Sequence, residues 1–559
     1  MVDREASSTF VYRPAREETL ASLLVTQAAR NPDFVYAIFP EETASFRVLH
    51  ERATALAKGL VAAGLKPHDH VAILMPNCLD YMIAHLGIQL AGGVSILLNA
   101  RFKSFELAQV MGHCDARMLI TTSRFDSFVN YSEVLTQTFP DLENAEAGKL
   151  LAIDAASHLE KIVLFGDKNW APAYSQAEIV AMGVDIPVSA LIEARAWQSI
   201  EKTAVMYYTS GTTSMPKACE ISHAALQRSW SIFARTVNLR EGEKVWVPMP
   251  FFHSGGIGLM TGLMAHGVAM ASAPYYDPQT VIAMAEDHRI EHLYPGFHLL
   301  AAPILQSPKY DPARFDFVRS MVVIGPLGTT QMLQSRLPPG APVLNLYGMS
   351  EAAGLITLAP YDAPEGVRLT VAGKALDGIE VRICDAETGE VVPTGQSGEI
   401  QFRGGGAFNR YYKDDAATAK TIIEGGWVKT GDQGRIDEEG YLYFLGRLKD
   451  ILRIGGENVA AAEIESFLSA HAAVANVQVI GRLDERMGEL PVAFVELAAG
   501  KTASPEELIE FCNGKIARFK IPREVIFVTE WPMSATKIQK FKLKELLPPI
   551  VEPLNTRSA

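Results

Sequence analysis

Between residues 18 and 125 the apolar positions alternate between two periods. Leu49, Ala53, Leu56 and Leu60 recur at helical spacing up to Gly64, which predicts a helix ending there. The unbroken apolar run over 71–75 predicts a strand stopped by Pro76 and Asn77. A second helix is expected from Tyr81 to Gly92-Gly93, followed by strands over 94–98 and 118–121. Helix and strand in alternation imply a largely parallel, doubly wound sheet. Over 141–198 the pattern weakens, and surface helices and loops without a catalytic role are expected. It resumes at 204–208, which reads as a buried strand, and at Ser222, which caps a helix whose Leu226, Trp230 and Phe233 share one face. The stretch 254–276 is the most membrane-like window, yet its five glycines and His266 favour a packed helix or strand pair beside a pocket. Past the charged run Arg447 to Asp450 the pattern becomes a short α+β module. It has a helix over 462–468, strands over 474–480 and 491–497, and a helix from the capping box Ser504-Pro505-Glu506-Glu507 to about 516. The boundary is therefore expected at this run, with one domain over 1–446 and another over 447–559.

Length and composition agree with this division. A chain of 559 residues exceeds what one hydrophobic core usually organises. A net charge of −13 argues against a nucleic-acid partner, because affinity for phosphate backbones comes from clustered Lys and Arg. The basic run Lys540, Lys542 and Lys544 is short enough to be a solvated helix face. Cys78, Cys114, Cys219, Cys384 and Cys512 are odd in number, far apart and without a Cys-x-x-Cys pair, so a reducing, cytoplasmic setting is expected. The start, Met-Val-Asp-Arg-Glu-Ala, carries acidic residues and no apolar stretch of signal length, so no export is expected either.

The candidate chemistry centres on 207–217, Tyr-Tyr-Thr-Ser-Gly-Thr-Thr-Ser-Met-Pro-Lys. Thr209, Ser210, Thr212 and Thr213 offer hydroxyl donors, Gly211 lets successive N–H groups face one point, and Lys217 adds a mobile positive charge. Such a loop suits a polyphosphate. It is not the P-loop of nucleotide triphosphatases, which needs a glycine before the lysine and Ser or Thr after it, where this chain has Pro216 and Ala218. Downstream, 343–351 reads as strand then turn. Tyr347 offers a flat face for a base, Gly348 permits close approach, and Ser350 with Glu351 offers hard oxygens suited to Mg²⁺. The same segment approximates the nucleophile elbow of an α/β-hydrolase with Ser350. That fold needs a later histidine, and His471 alone follows, with no His-Gly-Gly-Gly segment to form an oxyanion hole. His253 follows two aromatics and precedes three small residues that leave room for a ligand. A lone histidine in such a place is otherwise commonly a packed core residue. Asp432 is expected in a tight glycine turn.

Taken together these stretches resemble the adenylate-forming superfamily of acyl-CoA synthetases, luciferases and peptide-synthetase adenylation domains, over about 19–543 and in six ordered motifs. The loop 209–217 resembles its phosphate-binding signature, with Ser214 and Ala218 where glycines are usual. By that resemblance the fold is α/β. A large N-terminal domain holds doubly wound sheets and a distorted β-barrel, and a small mobile α+β C-terminal domain is hinged near Lys449. The resemblance implies that Gly325 lies in the turn along the adenine and acyl channel, that Asn345 and Tyr347 line the adenine site, that Glu351 with Thr209 holds Mg²⁺, and that His253 lines the acyl pocket. It also implies that Asp432 binds the ribose hydroxyls, with Gly348, Ser350 and Arg447 beside the nucleotide. Gly456 lines the pantetheine channel and Lys537 serves adenylation. The usual glycine before that lysine is absent and its interval from Pro532 is one residue short. The expected activity is ATP-dependent ligation of a carboxylic acid to coenzyme A through an acyl-adenylate, on a medium-chain, alicyclic or aryl acid. Ala352, Ala353, Gly354, Gly255 and Gly256 imply a roomy pocket. A binding protein for acyl-adenylates with little turnover is the alternative from another class, motivated by the altered glycines, and a homodimer is compatible with the sequence.

Overall fold

The alternating first half builds two mainly parallel sheets. A computed structural model describes residues 18–149, 151–209, 216–325, 327–454, 457–484, 487–533 and 538–548, with the side chains of 327, 328, 451, 457 and 458 left aside. The strands of the first sheet lie in the order Arg410–Tyr411, Lys217–Ser222, Thr203–Thr209, Val94–Leu97, His70–Leu74, Ala116–Thr122, Lys161–Phe165 and Ala173–Ser175. From Thr203–Thr209 onward the neighbours are parallel. The second sheet runs Val343–Leu344, Ser320–Ile324, His292–Phe297, Lys244–Trp246, Ala269–Ala271, Val35–Ile38 and Thr43–Ser45, and is parallel except at the last pair. One strand in from its edge the early strand Val35–Ile38 meets a late one, with Ala37 opposite Met270.

Helical periodicity placed the helices well. Phe46–Ala62 buries Phe46, Leu49, Ala53, Leu56 and Leu60 along one face. Leu79–Leu90 is buried all round, as its continuous apolarity requires, with Leu20–Arg30 and Phe46–Ala62 packed against it. The region 141–198 departs from expectation, because it supplies two strands to the first sheet. Lys161–Phe165 is a lysine followed by four apolar residues, buried from Ile162 onward beside Ala116–Thr122, and so short a run carries no period of its own. The stretch 254–276 holds the helix Ser254–His266 and then the strand Ala269–Ala271. Among the described residues no helix is long and apolar enough to cross a membrane, and all five cysteines are buried free thiols.

Antiparallel strands follow, Ile379–Cys384, Gly398–Gly404, Trp427–Ile436 and Leu442–Arg447 forming one sheet with Ile422–Ile423. Beyond Asp450 a separate apolar cluster forms around Leu452, Ile464, Leu468, Val479, Val495 and Leu508. The capping box at Ser504 is present, but its helix Pro505–Cys512 stops about a turn early because Asn513 adopts an extended ψ of 130°.

Two buried histidines give the large domain an acid limit. His85 donates to or accepts from Ser95 Oγ at 2.9 Å, and His223 Nδ1 accepts from the Leu20 N–H at 3.2 Å. Burial, and for each a neighbouring histidine, lowers both rings to about 3 from 6.5. The unfolded chain takes up these protons below its ordinary value while the folded chain does not. Their contribution to stability is complete above pH 6.5 and is lost as pH falls toward 3, at about 1.4 kcal/mol per pH unit for each histidine. Thermal melts should therefore be flat above pH 6.5 and decline steeply between pH 6 and 4, with a shallower decline in His85→Asn. An equal slope in that variant would remove His85 from the account.

Candidate active site

The carboxyl ends of the parallel strands open into one cavity of about 1970 Å³. Thr209 closes Thr203–Thr209, Gly325 follows Ser320–Ile324, and Asn345 follows Val343–Leu344, and all three line it. The hydroxyl loop is the connection of a β-hairpin. Thr209 pairs with Lys217 across antiparallel strands, and Thr209 Oγ1 donates to the Lys217 carbonyl at 3.3 Å. Ser210, Gly211, Thr212, Thr213 and Ser214 lie outside the described residues. Ala218 fits without a glycine because it is an ordinary strand residue opposite Tyr208, 1% exposed.

At Asn345 the chain leaves the second sheet and enters a three-stranded antiparallel sheet through Leu346–Tyr347. The Asn345 side-chain oxygen accepts from the Leu346 N–H at 3.0 Å, bracing that break. Tyr347 then donates its phenol proton to Asp432 Oδ2 at 2.7 Å, and Arg447 Nε reaches Asp432 Oδ1 at 2.9 Å. Burial, followed by the charge of Asp432, raises the Tyr347 phenol well above its usual value and keeps it a neutral donor. Asp432 is 2% exposed. Its expected tight turn is instead a bulge in the strand Trp427–Ile436. Gly431 takes a φ of +69°, the register with Gly398–Gly404 shifts there, and Thr430 Oγ1 donates to Ile400 O while accepting from the Asp432 N–H. The bulge turns an acidic residue into the cavity from the middle of a strand.

Gly348 has a different reason than ligand approach. A Cβ there would lie 2.0 Å from the Gly354 carbonyl, so the chain needs glycine to pass itself. Ser350 opens a single 3₁₀ turn, and its carbonyl accepts from the Tyr207 phenol at 2.7 Å. Next to it Glu351, 8% exposed, accepts from the Tyr411 phenol at 2.6 Å. Lys217 Nζ lies 4.6 Å from the centre of the Tyr411 ring. Among the described residues no three His, Cys, Asp or Glu side chains group as a metal cage. A cation at Glu351 would thus take most of its oxygens from phosphate and water, which is the habit of Mg²⁺. His471, needed for the hydrolase alternative, instead sits in the small domain, 3.7 Å from Glu507 and edge-on to Phe511.

The wall on the other side is apolar and aromatic. His253 directly precedes the helix Ser254–His266 and lines the cavity with Ser254 and Gly255. Gly256 does not make room for a ligand, since a Cβ there would meet Pro250 O at 2.2 Å, and Gly258 and Gly262 make room for Trp230. Ala352 and Ala353 are fully buried behind the wall, which leaves Trp230, Met249 and Tyr294 to set its width. His298 was not anticipated. It starts the helix His298–Leu305 beside Gly325, and burial holds its ring below the usual histidine range, against the hydrogen bond to Ile324. Lys449, in the turn Leu448–Asp450, and Met533 and Gln539 of the small domain close the cavity from the far side. Gly456 and Lys537 lie outside the described residues.

Buried carboxylates sharing a cavity with the ends of a hairpin, at the carboxyl ends of parallel strands and under a second small domain, are the arrangement of a two-domain nucleotide-dependent enzyme. The pattern described as AMP-binding enzyme matches residues 24–412, and that of the AMP-binding enzyme C-terminal domain matches 463–537. The chain belongs to the AMP-binding enzymes. It is 33% identical over 539 residues to YngI of Bacillus subtilis (strain 168), whose name assigns it provisionally to the acyl-CoA synthetases, with 94% of this chain and 96% of that one covered. It is 28% identical to the mitochondrial medium-chain acyl-CoA ligase ACSF2 of Danio rerio, covering 95% and 89%. The fold is shared with o-succinylbenzoate coenzyme A synthetase (MenE) of Bacillus subtilis, solved with ATP and magnesium ion. That likeness has a TM-score of 0.76 at 24% identity, over 93% of this chain and 99% of the other.

Proposed function

We propose that this AMP-forming acid–CoA ligase takes a medium-chain, alicyclic or aryl carboxylic acid, with adenylation in the cavity between Glu351 and Asp432. The observation that carries the site assignment is that two buried carboxylates, each bonded to a phenol, share one cavity with the ends of the Thr209–Lys217 hairpin. Asp432, fixed by Tyr347 and Arg447, is suited to accept from the ribose hydroxyls. The faces of Tyr347 and Phe444, stacked at 5.5 Å, suit a base. Glu351 would hold Mg²⁺ with Thr209, and bound there the ion supplies positive charge against the phosphate oxygens. Thr209 and Lys217 face the same oxygens. In the first step a carboxylate oxygen of the acid bonds to the α-phosphorus of ATP as the bond to the pyrophosphate oxygen breaks. In the second the thiol of coenzyme A attacks the acyl carbon and AMP leaves. Catalysis of the first step is charge stabilisation and positioning, and it requires no protein nucleophile. Trp230, Met249 and Tyr294 support an apolar acyl group. The buried, unbridged cysteines support a cytoplasmic setting. Pyrophosphate release on mixing with ATP, Mg²⁺ and a panel of acids tests the reading. Release with hexanoate, cyclohexanecarboxylate or benzoate-type acids supports it, and ATP binding without release from any acid would favour the binding-protein alternative.

The small domain, from 447 onward, is proposed to turn about Lys449 between the two steps. A proline there fixes φ near −65°. Lys449→Pro should leave acyl-adenylate formation within a few-fold of wild type and reduce thioester formation by roughly 10²-fold, as single-turnover assays of each step would show. Equal loss in both would make this turn a static linker.

A further inference from the structure

We infer that Tyr411 is a positioning residue for the reaction, holding one oxygen of Glu351 so that the other faces the phosphate side of the cavity. The inference rests on the reading of Glu351 as the Mg²⁺-holding carboxylate. Tyr411 is 4% exposed, and its phenol donates to Glu351 Oε1 at 2.6 Å. A carboxylate that keeps a fixed donor on one oxygen cannot rotate freely, and its second oxygen is the one left for a cation. The Tyr411 ring lies under the Lys217 ammonium at 4.6 Å. One side chain thereby touches both the acidic group and the basic group that face the phosphates.

The chain spends several contacts on keeping this ring in place. Arg410–Tyr411 is a two-residue strand paired with Lys217–Ser222, Tyr411 opposite Cys219. The Tyr412 N–H donates to Ala218 O at 2.9 Å, and the Tyr411 N–H to Thr418 Oγ1 at 3.0 Å. Beyond it Tyr412 donates to Asp115 Oδ2 at 2.8 Å and Lys413 reaches Asp115 Oδ1 at 2.6 Å, tying the segment to the first sheet. Asp115 and Lys413 both take left-handed backbone, with φ of 51° and 54°, strain that their mutual pairing sustains. Tyr411 is thus fixed to the strand that ends the phosphate hairpin, so Glu351 and Lys217 are set against one common reference.

Tyr411→Phe keeps the ring under Lys217 and removes only the donor to Glu351. Calorimetric titration of the full chain with ATP, with MgCl₂ and separately with a chelator, reads the effect without turnover. The variant should bind ATP roughly 10-fold more weakly with MgCl₂ and within twofold of wild type in chelator, and should need roughly 10-fold more MgCl₂ for half-maximal pyrophosphate release. Tyr310→Phe, which loses a hydroxyl bonded to the Arg336 carbonyl outside the cavity, should shift neither reading. Equal weakening with and without MgCl₂, or no change at all, would overturn the positioning role and leave Tyr411 a packing residue. A MgCl₂ dependence unchanged in Glu351→Gln would instead overturn the metal assignment on which the inference rests. Absence of ATP binding by the wild-type chain would overturn the proposed function itself.

Discussion

Lys537→Ala is expected to slow acyl-adenylate formation by at least roughly 10²-fold while leaving thioester formation from supplied acyl-adenylate unchanged, as for loss of one donor to developing phosphate charge. The lysine lies outside the described residues, but both anchors of its loop are within them. Met533 and Ile538 form an antiparallel bridge, and the Gln539 N–H donates to Pro532 O at 2.7 Å. Met533 and Gln539 line the same cavity as Glu351 and Asp432. The anchors thus border the cavity, and an interval one residue short changes the available reach by at most roughly 3.5 Å. Rapid-quench assays of the two half-reactions would check this. Adenylation left intact in Lys537→Ala, and raised sharply by a glycine inserted between Thr536 and Lys537, would show the natural loop to be defective.

Glu351→Gln is expected to lower pyrophosphate release by roughly 10²-fold at limiting Mg²⁺, because an amide is a poor ligand for a hard cation. Glutamine still offers an oxygen to the Tyr411 phenol, so the local fold should persist and the melting temperature should move little. The loss should shrink as Mg²⁺ is raised. Release at the wild-type level at low Mg²⁺ would withdraw Glu351 from the metal site.

Where burial is one-sided or complete over ten residues or more, local pattern and tertiary structure agree, as in Phe46–Ala62 and Leu79–Leu90. The strand Lys161–Phe165 escaped because its four apolar residues acquire their meaning from Ala116–Thr122 next door. Tyr347, Glu351 and Asp432 could be singled out because each sits in a short, chemically distinctive stretch, and the structure brings all three to one cavity. The bulge at Gly431 was mistaken for a turn, since a glycine at positive φ serves both. Tyr411 was missed for a different reason. Its partner Glu351 is sixty residues away, and the strand that places it is two residues long. The doublet Tyr411-Tyr412 after Gly404-Gly405-Gly406 was the available signal, and nothing local distinguishes it from packing. Gly256 misled in the opposite direction, being room for Pro250 and not for a substrate, whereas Gly255 lines the cavity.

The pairing of Ala37 with Met270 also bears on how the molecule is made. A ribosome adding roughly 5–20 residues per second delivers the partner of the strand Val35–Ile38 some tens of seconds after the strand itself has emerged. During that interval Val35–Ile38 has only its hairpin mate Thr43–Ser45 on one side, and its other edge of N–H and C=O groups is bare. The first sheet needs no residue beyond Ser222 for its central strands and can form in the meantime. Nascent chains stalled between Ser222 and Ala269 should consequently hold a first sheet lacking only Arg410–Tyr411 and one sticky edge, making this the window in which a chaperone is most needed.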